Sequence, residues 1–539
     1  MFETLNIKYL YLIFFITNLL KTMKRSNMHG KLNVFGLLLI LVQFSYQVNI
    51  QNSTDYYTAA VVEFTPTYVK DNGPLTLSKN TDAYIEYIEK ASKQNADIIV
   101  FPEDGLTSLH MPNRSHMDSW TTLVPSIHDN YVPCTDTNID VSETLKRLSC
   151  AAKQNRIYVV INIAEKRLNN DECFSNLTWH YHNTNVVFDR MGKIIARYRK
   201  VNLYMEKQFD KTEIPEIVTF DTDFGVKFGT FICFDILFSV PALNLTRTLG
   251  ISNIIFTTAW FSEVPFLTAV QTQFGWSFAE NVNLLAAGYH QPNIGTLGSG
   301  IYLGRNGLIN ATMFSNPKYR LLISQVPKST KPREIEKRQI VQKLRKEKKE
   351  NQRIKKYITR YKTFDFYKPK KGNILNSIKL LHDNVTSFES VLFNKSIIQS
   401  ICYRNFCCDF EAHIDTINLP SIHYRAVVFD NVRLYGKEVE AGVRLCALIQ
   451  CSNDSIHSCG FIGQSNITFF ALSITARFND YSKILVMPSV LNSSLLPFEQ
   501  WSYIEHTYGK QTNVTIVLNE PTQNIVTFGI YARDFEKDK

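Results

Sequence analysis

Cys233 follows a short apolar run, 228–232, that predicts a buried β-strand. A thiol at the carboxyl end of such a strand is a common position for a nucleophile in open α/β folds. A buried cysteine is also often just a small core hydrophobe, so a reactive Cys233 needs a base and a cation beside it. Glu103 and Lys200 each follow another predicted strand and are the candidates for these two roles. Glu103 taken alone fits equally well as the neighbour of a helix N-cap.

Short β-branched apolar runs alternate with segments of helical periodicity across residues 56–326. The predicted strands are 58–64, 96–102, 157–163, 184–189, 193–198, 228–232, 253–257 and 284–287. The predicted helices are 80–95, 141–154 and 266–281, and hairpin turns are expected at 191–192 and 306–307. Strands that alternate with helices favour an α/β layered fold with the helices outside. We therefore expect one α/β domain over 56–326 that contains all three candidate residues.

A basic segment, 328–371, separates this domain from a C-terminal region with a different pattern of apolar and polar residues. Its many Lys and Arg residues and few apolar ones predict an exposed linker or a solvated helix. A surface connector is the simpler interpretation, a weak polyanion or anionic-membrane contact is the alternative, and its paired basic residues would also suit proteases. From 373 to 539, short alternating runs between turn residues predict a compact β-rich domain.

The formal net charge of +10 lies mostly in the basic segment and in residues 1–33, so a nucleic-acid-binding fold is not expected. Residues 1–48 contain two apolar runs separated by basic residues, which is typical of a signal peptide. Neither run reaches the roughly 18–20 residues of a membrane-spanning helix, although a signal anchor remains an alternative. We expect cleavage near 45–50 and, because the C-terminus is charged, a secreted product without a stable membrane anchor.

Ten cysteines and numerous N-x-S/T sequons agree with a secretory route. The candidate glycosylation sites are Asn52, Asn113, Asn176, Asn244, Asn310, Asn384, Asn394, Asn453, Asn466, Asn492 and Asn513. The C-terminal disulfide candidates are Cys402, Cys407, Cys408, Cys446, Cys451 and Cys459. A zinc site is the alternative for these residues, but they contain no C-x-x-C pair. If they pair among themselves and Cys233 stays free, one of Cys134, Cys150 and Cys173 is also reduced.

The contexts of the three candidate residues are VFPEDGL, RYRKVNLY and GTFICFDILF. Together they resemble the nitrilase, or carbon–nitrogen hydrolase, superfamily, whose catalytic set is Glu, Lys and Cys in this order. The similarity narrows to the vanin and biotinidase family through GSGIY at 298–302, CxxxxCC at 402–408 and the closing FGIYARDFEKDK. The resemblance covers both domains but not the basic segment. It implies a nitrilase-type α-β-β-α sandwich followed by a smaller β-rich C-terminal domain.

The resemblance also implies an amidase that works through a cysteine thioester. Cys233 would be the nucleophile and Glu103 the proton acceptor, while Lys200 would serve as proton donor and oxyanion stabiliser with the backbone N–H of Phe234. Glu206 matches the second glutamate of the superfamily, which orients the lysine, and a solvated loop carboxylate is the alternative. We also expect the nearby cation to favour the thiolate form of Cys233.

The substrates that the resemblance implies are linear amides of vitamin conjugates, with pantetheine first and biocytin second. No cofactor, metal ion or nucleic acid is expected. A secreted binding protein built on an inactive nitrilase scaffold is a rival from another class, and the intact Glu, Lys and Cys argue against it. Trp260 and His290 are weak candidates for the pocket lining, since each is equally suited to packing.

Overall fold

The computed structural model describes residues 55–168, 179–313, 321–329, 378–393, 396–414, 422–436 and 438–539. The predicted leader, 1–48, and nearly all of the basic segment, 328–371, lie outside the described residues. The described residues from Asp55 to Lys539 form one compact unit. Within these ranges, no helix combines the length and the hydrophobicity that crossing a bilayer requires.

The first part of the chain forms two six-stranded sheets and three α-helices within the described residues. The strands are β1 (Tyr56–Val62), β2 (Ile98–Val100), β3 (Tyr158–Leu168), β4 (Trp179–Phe188), β5 (Ile194–Arg199), β6 (Thr219–Asp221), β7 (Lys227–Ile232), β8 (Asn253–Thr258), β9 (Glu263–Val264), β10 (Asn283–Gly288), β11 (Ser299–Leu303), β12 (Leu308–Thr312) and β13 (Leu321–Pro327). The helices are α1 (Gly73–Ser92), α2 (Glu143–Asn155) and α3 (Ala269–Glu280). One sheet has the order β13-β1-β2-β3-β4-β5 and the other β12-β11-β10-β8-β7-β6.

The two sheets pack face to face because alternate residues of each strand point to opposite faces. Val61 of β1 lies in one buried cluster with Phe228 of the opposite sheet. Val62, the next residue, faces outwards and shares a cluster with Ile88 of α1. On the far side, Trp276 of α3 packs against the outer face of the second sheet. The arrangement confirms the predicted α-β-β-α sandwich.

Helix α1 begins at Gly73, earlier than the apolar periodicity predicts. The side chain of Asn72 accepts a hydrogen bond from the backbone N–H of Leu75 at 3.0 Å, and a proline occupies the first turn. Capping chemistry therefore starts this helix before its buried positions recur regularly. Strands β3 and β4 are likewise longer than predicted, because their outer ends carry polar residues that an apolar run does not reveal.

The C-terminal part is β-rich, as predicted. Its strands are β14 (Leu381–His382), β15 (Glu389–Phe393), β16 (Ile397–Tyr403), β17 (Phe406–Ile414), β18 (His423–Tyr435), β19 (Val439–Cys451), β20 (Phe469–Phe478), β21 (Leu485–Asn492), β22 (Trp501–Tyr508), β23 (Gln511–Leu518) and β24 (Ile525–Asp534). Strands β15–β24 form two antiparallel five-stranded sheets, β15-β18-β19-β24-β21 and β16-β17-β20-β23-β22, whose buried residues share one core, whereas β14 pairs with β9.

The C-terminal cysteines pair among themselves, which overturns the zinc alternative. The disulfides are Cys402–Cys407, Cys408–Cys446, Cys451–Cys459 and, in the sandwich, Cys134–Cys150. Of the three cysteines considered for a second free thiol, Cys134 and Cys150 are thus joined and Cys173 lies outside the described residues. Within the described residues, Cys233 is the one reduced cysteine.

The C-terminal sheet that contains β21 and β24 covers helix α3. Gly275 of α3 lies so close to β21 that a Cβ atom there would meet the Pro488 carbonyl oxygen at 2.6 Å, so only glycine fits without a shift. Beside this contact, the Gln271 amide donates to Ser489 Oγ at 2.9 Å. The Thr527 hydroxyl of β24 donates to the Pro265 carbonyl at 2.6 Å. The C-terminal part is therefore packed directly onto the sandwich near the loop that follows β8.

Candidate active site

Cys233 sits at a sharp turn between β7 and a short 3-10 helix, Cys233–Leu237. Its φ angle is +46°, in the left-handed region that non-glycine residues rarely occupy. Such strain persists only where surrounding contacts hold the backbone, and it is concentrated at functional sites. The turn places a largely buried thiol at the end of the strand, where it lines a cleft.

Asp235 holds this turn in place. Its carboxylate accepts hydrogen bonds from the backbone N–H of Ile232 at 3.0 Å and from the hydroxyl of Tyr198 at 2.6 Å. It also accepts from the backbone N–H of Asn202 at 2.9 Å. Since Tyr198 and Asn202 flank Lys200, Asp235 ties the cysteine turn to the segment that carries the lysine. Asp235 was not predicted as a site residue, although it lies in the GTFICFDILF string that contains Cys233.

Lys200 lies between two carboxylates. Its Nζ donates to Glu103 Oε1 at 2.7 Å and to Glu206 Oε2 at 2.5 Å. The Lys200 and Glu103 side chains are nearly inaccessible to water, and that of Glu206 is 11% exposed. Glu206 is therefore not a solvated loop carboxylate, because it contacts the lysine directly. Glu103 follows β2, and its other oxygen accepts the backbone N–H of Ala259 at 2.8 Å.

Asn183 joins the two glutamates and was missed by the sequence analysis. Its Nδ2 donates to Glu103 Oε1 at 2.8 Å and to Glu206 Oε1 at 2.6 Å. Its own Oδ1 accepts from the Asn162 amide at 2.6 Å. One sequence signal could have indicated this residue. The polar string NTN, 183–185, lies at buried positions of β4, and buried polar side chains in a strand usually have a specific partner. Because the Asn183 amide donates to both carboxylates without adding charge, it helps Glu103 and Glu206 to lie close together around a single lysine.

The acid–base state of the thiol differs from the sequence-based expectation. Burial raises the pKa of Cys233 well above its usual value and the charge of Glu103 raises it further, while Lys200 only partly offsets these effects. Lys200 does favour the thiolate, as predicted, but desolvation and the charge of Glu103 outweigh it, so the net direction of the pKa is upward. For Lys200, burial lowers the pKa, but Glu103 and Glu206 raise it to a level well above its usual value, so the ammonium stays charged at neutral pH.

The cleft at Cys233 is open to solvent and has mainly aromatic and aliphatic walls. Its lining is Tyr204, Cys233, Phe234, Leu237, Trp260, Phe261, Glu263, Leu267 and Tyr435. Trp260 thus lines the cleft, whereas His290 is engaged elsewhere in a buried contact with Glu63, Nδ1 to Oε1 2.5 Å. Tyr435 is the last residue of β18, so the C-terminal part supplies one wall of the cleft.

A close approach of the β18–β19 hairpin makes this wall possible. Gly436 has a φ of +55°, and a Cβ atom there would meet the side chains of Tyr204 and Met205 at 3.0 Å. The Tyr435 ring packs edge-on against Phe234, the residue after the cysteine, at 5.6 Å between centroids. No local signal in the sequence places Tyr435 near Cys233.

The chain is similar to several known proteins. The profile of the carbon-nitrogen hydrolase family matches residues 58–272, and that of the vanin C-terminal domain matches 378–538. Vanin-like protein 1 of Drosophila melanogaster is 37% identical over 95% of this chain and 92% of its own length. Pantetheinase of Homo sapiens is 30% identical over 92% of both chains. The solved Nit3 of Saccharomyces cerevisiae, a nitrilase-superfamily member, is 18% identical with a TM-score of 0.39 over 53% of this chain and 94% of that one.

The sandwich, the site and these relatives define the chain as a carbon–nitrogen hydrolase of the nitrilase superfamily that acts on amides. Within that superfamily, the chain belongs to the vanin family.

Proposed function

We propose that the chain is a secreted amidase that cleaves a linear amide through a Cys233 thioester, and that pantetheine is its substrate. The observation that carries the catalytic assignment is the buried Lys200, which is shared by Glu103 and Glu206. The strained Cys233 turn lies in their field, since the charges of Glu103 and Lys200 both act on the thiol. A buried cation, a buried base and a thiol are the groups that acyl transfer from an amide requires.

We assign the first step to Glu103, because a thiol with a raised pKa stays protonated at neutral pH and needs a base. The Cys233 S–H proton passes to the Glu103 carboxylate as Sγ bonds to the substrate carbonyl carbon. Glu103 then gives this proton to the amide nitrogen, the C–N bond breaks, and the amine leaves a thioester behind. Glu103 next takes a proton from water as the hydroxide adds to the thioester carbonyl. The C–S bond then breaks, and Cys233 recovers a proton.

The charge that develops on the carbonyl oxygen is stabilised by Lys200 and by the backbone N–H of Phe234. Phe234 occupies the first turn of the Cys233–Leu237 helix, where backbone N–H groups have no partner within the helix. Removing one donor to such an oxyanion costs about 3–4 kcal/mol in comparable acyl-transfer sites. Glu206 acts through Lys200, as a positioning residue that holds the ammonium in place.

The choice of pantetheine is supported by relatives and by the cleft. Pantetheinases of several mammals are about 30% identical over most of the chain. The mainly aromatic walls suit a slender, uncharged molecule, and pantetheine is one. Biocytin is the alternative substrate, and a non-catalytic binding protein is the alternative class.

One assay distinguishes the two candidate substrates from each other and the enzyme from a binding protein. Purified protein is incubated with pantetheine and with biocytin, beside the Cys233→Ala variant. We expect release of cysteamine from pantetheine by the wild type and none by the variant. Unchanged hydrolysis in the variant would remove Cys233 from the mechanism, faster release of lysine from biocytin would exchange the substrates, and no turnover of any amide would favour the binding protein.

Secretion is proposed from the disulfides and from accessible sequons. Among the candidate sites, those with exposed asparagines are Asn113, Asn384, Asn453 and Asn466, and those with half-buried ones are Asn244, Asn310, Asn492 and Asn513. Asn52, Asn176 and Asn394 lie outside the described residues. Glycosidase treatment of protein from culture medium, followed by mass spectrometry, tests this proposal. We also propose that the chain consists of two domains, with the limits 56–326 and 373–539.

A further inference from the structure

We propose that Glu263, paired with Arg433 of the C-terminal part, makes the cleft select amides that carry no negative charge. The proposal rests on the amidase function above and narrows its substrate class to neutral or cationic linear amides. Glu263 is the one carboxylate that lines the cleft within the described residues, and the other walls are aromatic, aliphatic or the thiol itself. A negatively charged group of a substrate is therefore opposed chiefly by this side chain.

The charge around Glu263 is not balanced. Arg433 Nη2 contacts Glu263 Oε2 at 2.6 Å and Asp383 Oδ1 at 3.1 Å. One guanidinium thus serves two carboxylates, and the group has an excess of negative charge when both are ionised. The side chains of Arg433 and Asp383 are only 10% and 9% exposed, while that of Glu263 is 24% exposed. The excess charge is consequently accessible at the cleft through Glu263.

The buried groups around Lys200, which lie outside the cleft lining, have the same imbalance. Lys200 is shared by Glu103 and Glu206, again one cation between two carboxylates. A substrate carboxylate or phosphate in the cleft would therefore meet the surplus negative charge at Glu263 directly, and the buried groups around Lys200 would add no compensating positive charge. Hydroxyl, thiol and ammonium groups are hydrogen-bond donors and would instead be accepted by Glu263.

Glu263 cannot easily move away from an unsuitable ligand, because backbone pairing fixes its segment. Strand β9 pairs in parallel with β14, so that Glu263 lies opposite Leu381. The Leu381 N–H donates to the Ser262 carbonyl at 2.9 Å, and the Asp383 N–H donates to the Val264 carbonyl at 2.8 Å. Arg433 is held in turn by its position 4.7 Å above the Tyr435 ring. The selecting unit, Glu263 with Arg433 and Tyr435, therefore combines both parts of the chain.

The two candidate substrates differ in this property. Pantetheine has no charged group, whereas the lysine half of biocytin carries a carboxylate as well as an ammonium group. A cleft with surplus negative charge favours the first and opposes the carboxylate of the second. The charge pattern is therefore compatible with pantetheine, whereas in biocytin the ammonium group offsets part of the penalty on the carboxylate.

The test compares kcat/KM for pantetheine with that for two anionic analogues of it. One analogue has glycine in place of cysteamine, which places a carboxylate on the amine side, and the other has a phosphate on the primary hydroxyl of the acyl side. The variants are Glu263→Gln, the charge-conserving Glu263→Asp, and Glu438→Gln as matched control. Glu438 lies in the β18–β19 hairpin that also carries Arg433. It is outside the cleft lining and makes an exposed contact with Lys207. Thermal unfolding checks that each variant is folded.

We expect the wild type to disfavour at least one anionic analogue by about tenfold or more relative to pantetheine. The ratio of kcat/KM for pantetheine to that for the anionic analogue should fall several-fold towards one in Glu263→Gln. It should stay unchanged in Glu263→Asp and Glu438→Gln. Equal use of the neutral and anionic amides by the wild type would overturn the proposal, and so would an equal penalty in Glu263→Gln, which would indicate a steric cause. Absence of turnover of pantetheine itself would overturn the proposed function instead.

Discussion

Asn183→Asp tests whether the uncharged bridge between the two glutamates sets the acid–base state of the site. The substitution preserves shape but replaces an amide that donates to Glu103 at 2.8 Å and to Glu206 at 2.6 Å. Hydrogen bonds to charged groups contribute about 1.5–3 kcal/mol each, so the loss of two amounts to about 3–6 kcal/mol. A third carboxylate would also face two others around a single lysine.

The carboxylates can remain in contact only if they take up a proton. Because like charges raise the affinity of a carboxylate cluster for protons, the base form is reached only at higher pH. We expect the acidic limb of the kcat/KM profile for pantetheine to move up by at least one pH unit. At pH 7, kcat/KM should fall by about 100-fold, which corresponds to about 2.7 kcal/mol. Stability should fall as pH rises above about 4, since the introduced carboxyl group is more protonated in the folded state.

Asn185→Asp is the matched control for this experiment. Asn185 lies two residues further along β4 and contacts Asn162, Thr230 and Thr257 rather than the glutamates. The same chemical change there should reduce stability, as measured by urea unfolding, and leave the acidic limb in place. An unshifted limb in Asn183→Asp, or equal shifts in both variants, would refute the role assigned to the bridge.

Three further predictions concern the thiol, the domain contact and acid stability. Glu103→Gln removes a charge that raises the pKa of Cys233, so the midpoint of iodoacetamide labelling should move to lower pH, and an upward movement would contradict the assignment. Arg533 is fully buried and donates to the Leu237 carbonyl at 2.9 Å and to the Asp538 carboxylate at 2.8 Å. Arg533→Met should lower the free energy of unfolding by about 3–5 kcal/mol in urea titration, because these buried acceptors lose their partner, and a loss under 1 kcal/mol would exclude this role. Burial lowers the pKa of His182 from its usual 6.5 to about 4, so the unfolded chain binds more protons in this window and stability falls as pH falls through it. His182→Asn should make this loss shallower, by at most about 1.4 kcal/mol per pH unit, and equal slopes in thermal unfolding at pH 4–6.5 would contradict it.

Elements whose determinants lie within a few residues were predictable. The strand before Cys233, the hairpin at 191–192 and the alternation of strands and helices follow from apolar period and turn residues. The start of α1 at Gly73 was not predicted, because its cap was not weighed against the apolar pattern. The C-terminal strands were indicated by their alternation, whereas their order in two sheets depends on pairings between distant segments.

Local sequence pattern was sufficient to place Glu103, Lys200 and Cys233 after strands of an α/β fold, because strand ends are local features. Which groups surround these three residues depends on contacts that form only in the folded chain. Asn183 bridges the glutamates and Tyr435 walls the cleft through contacts between residues far apart in the chain, and short-range propensity has no information about such contacts. The charge state of the thiol was likewise decided by burial, which is a property of the assembled fold, since desolvation outweighed the lysine whose presence the sequence revealed.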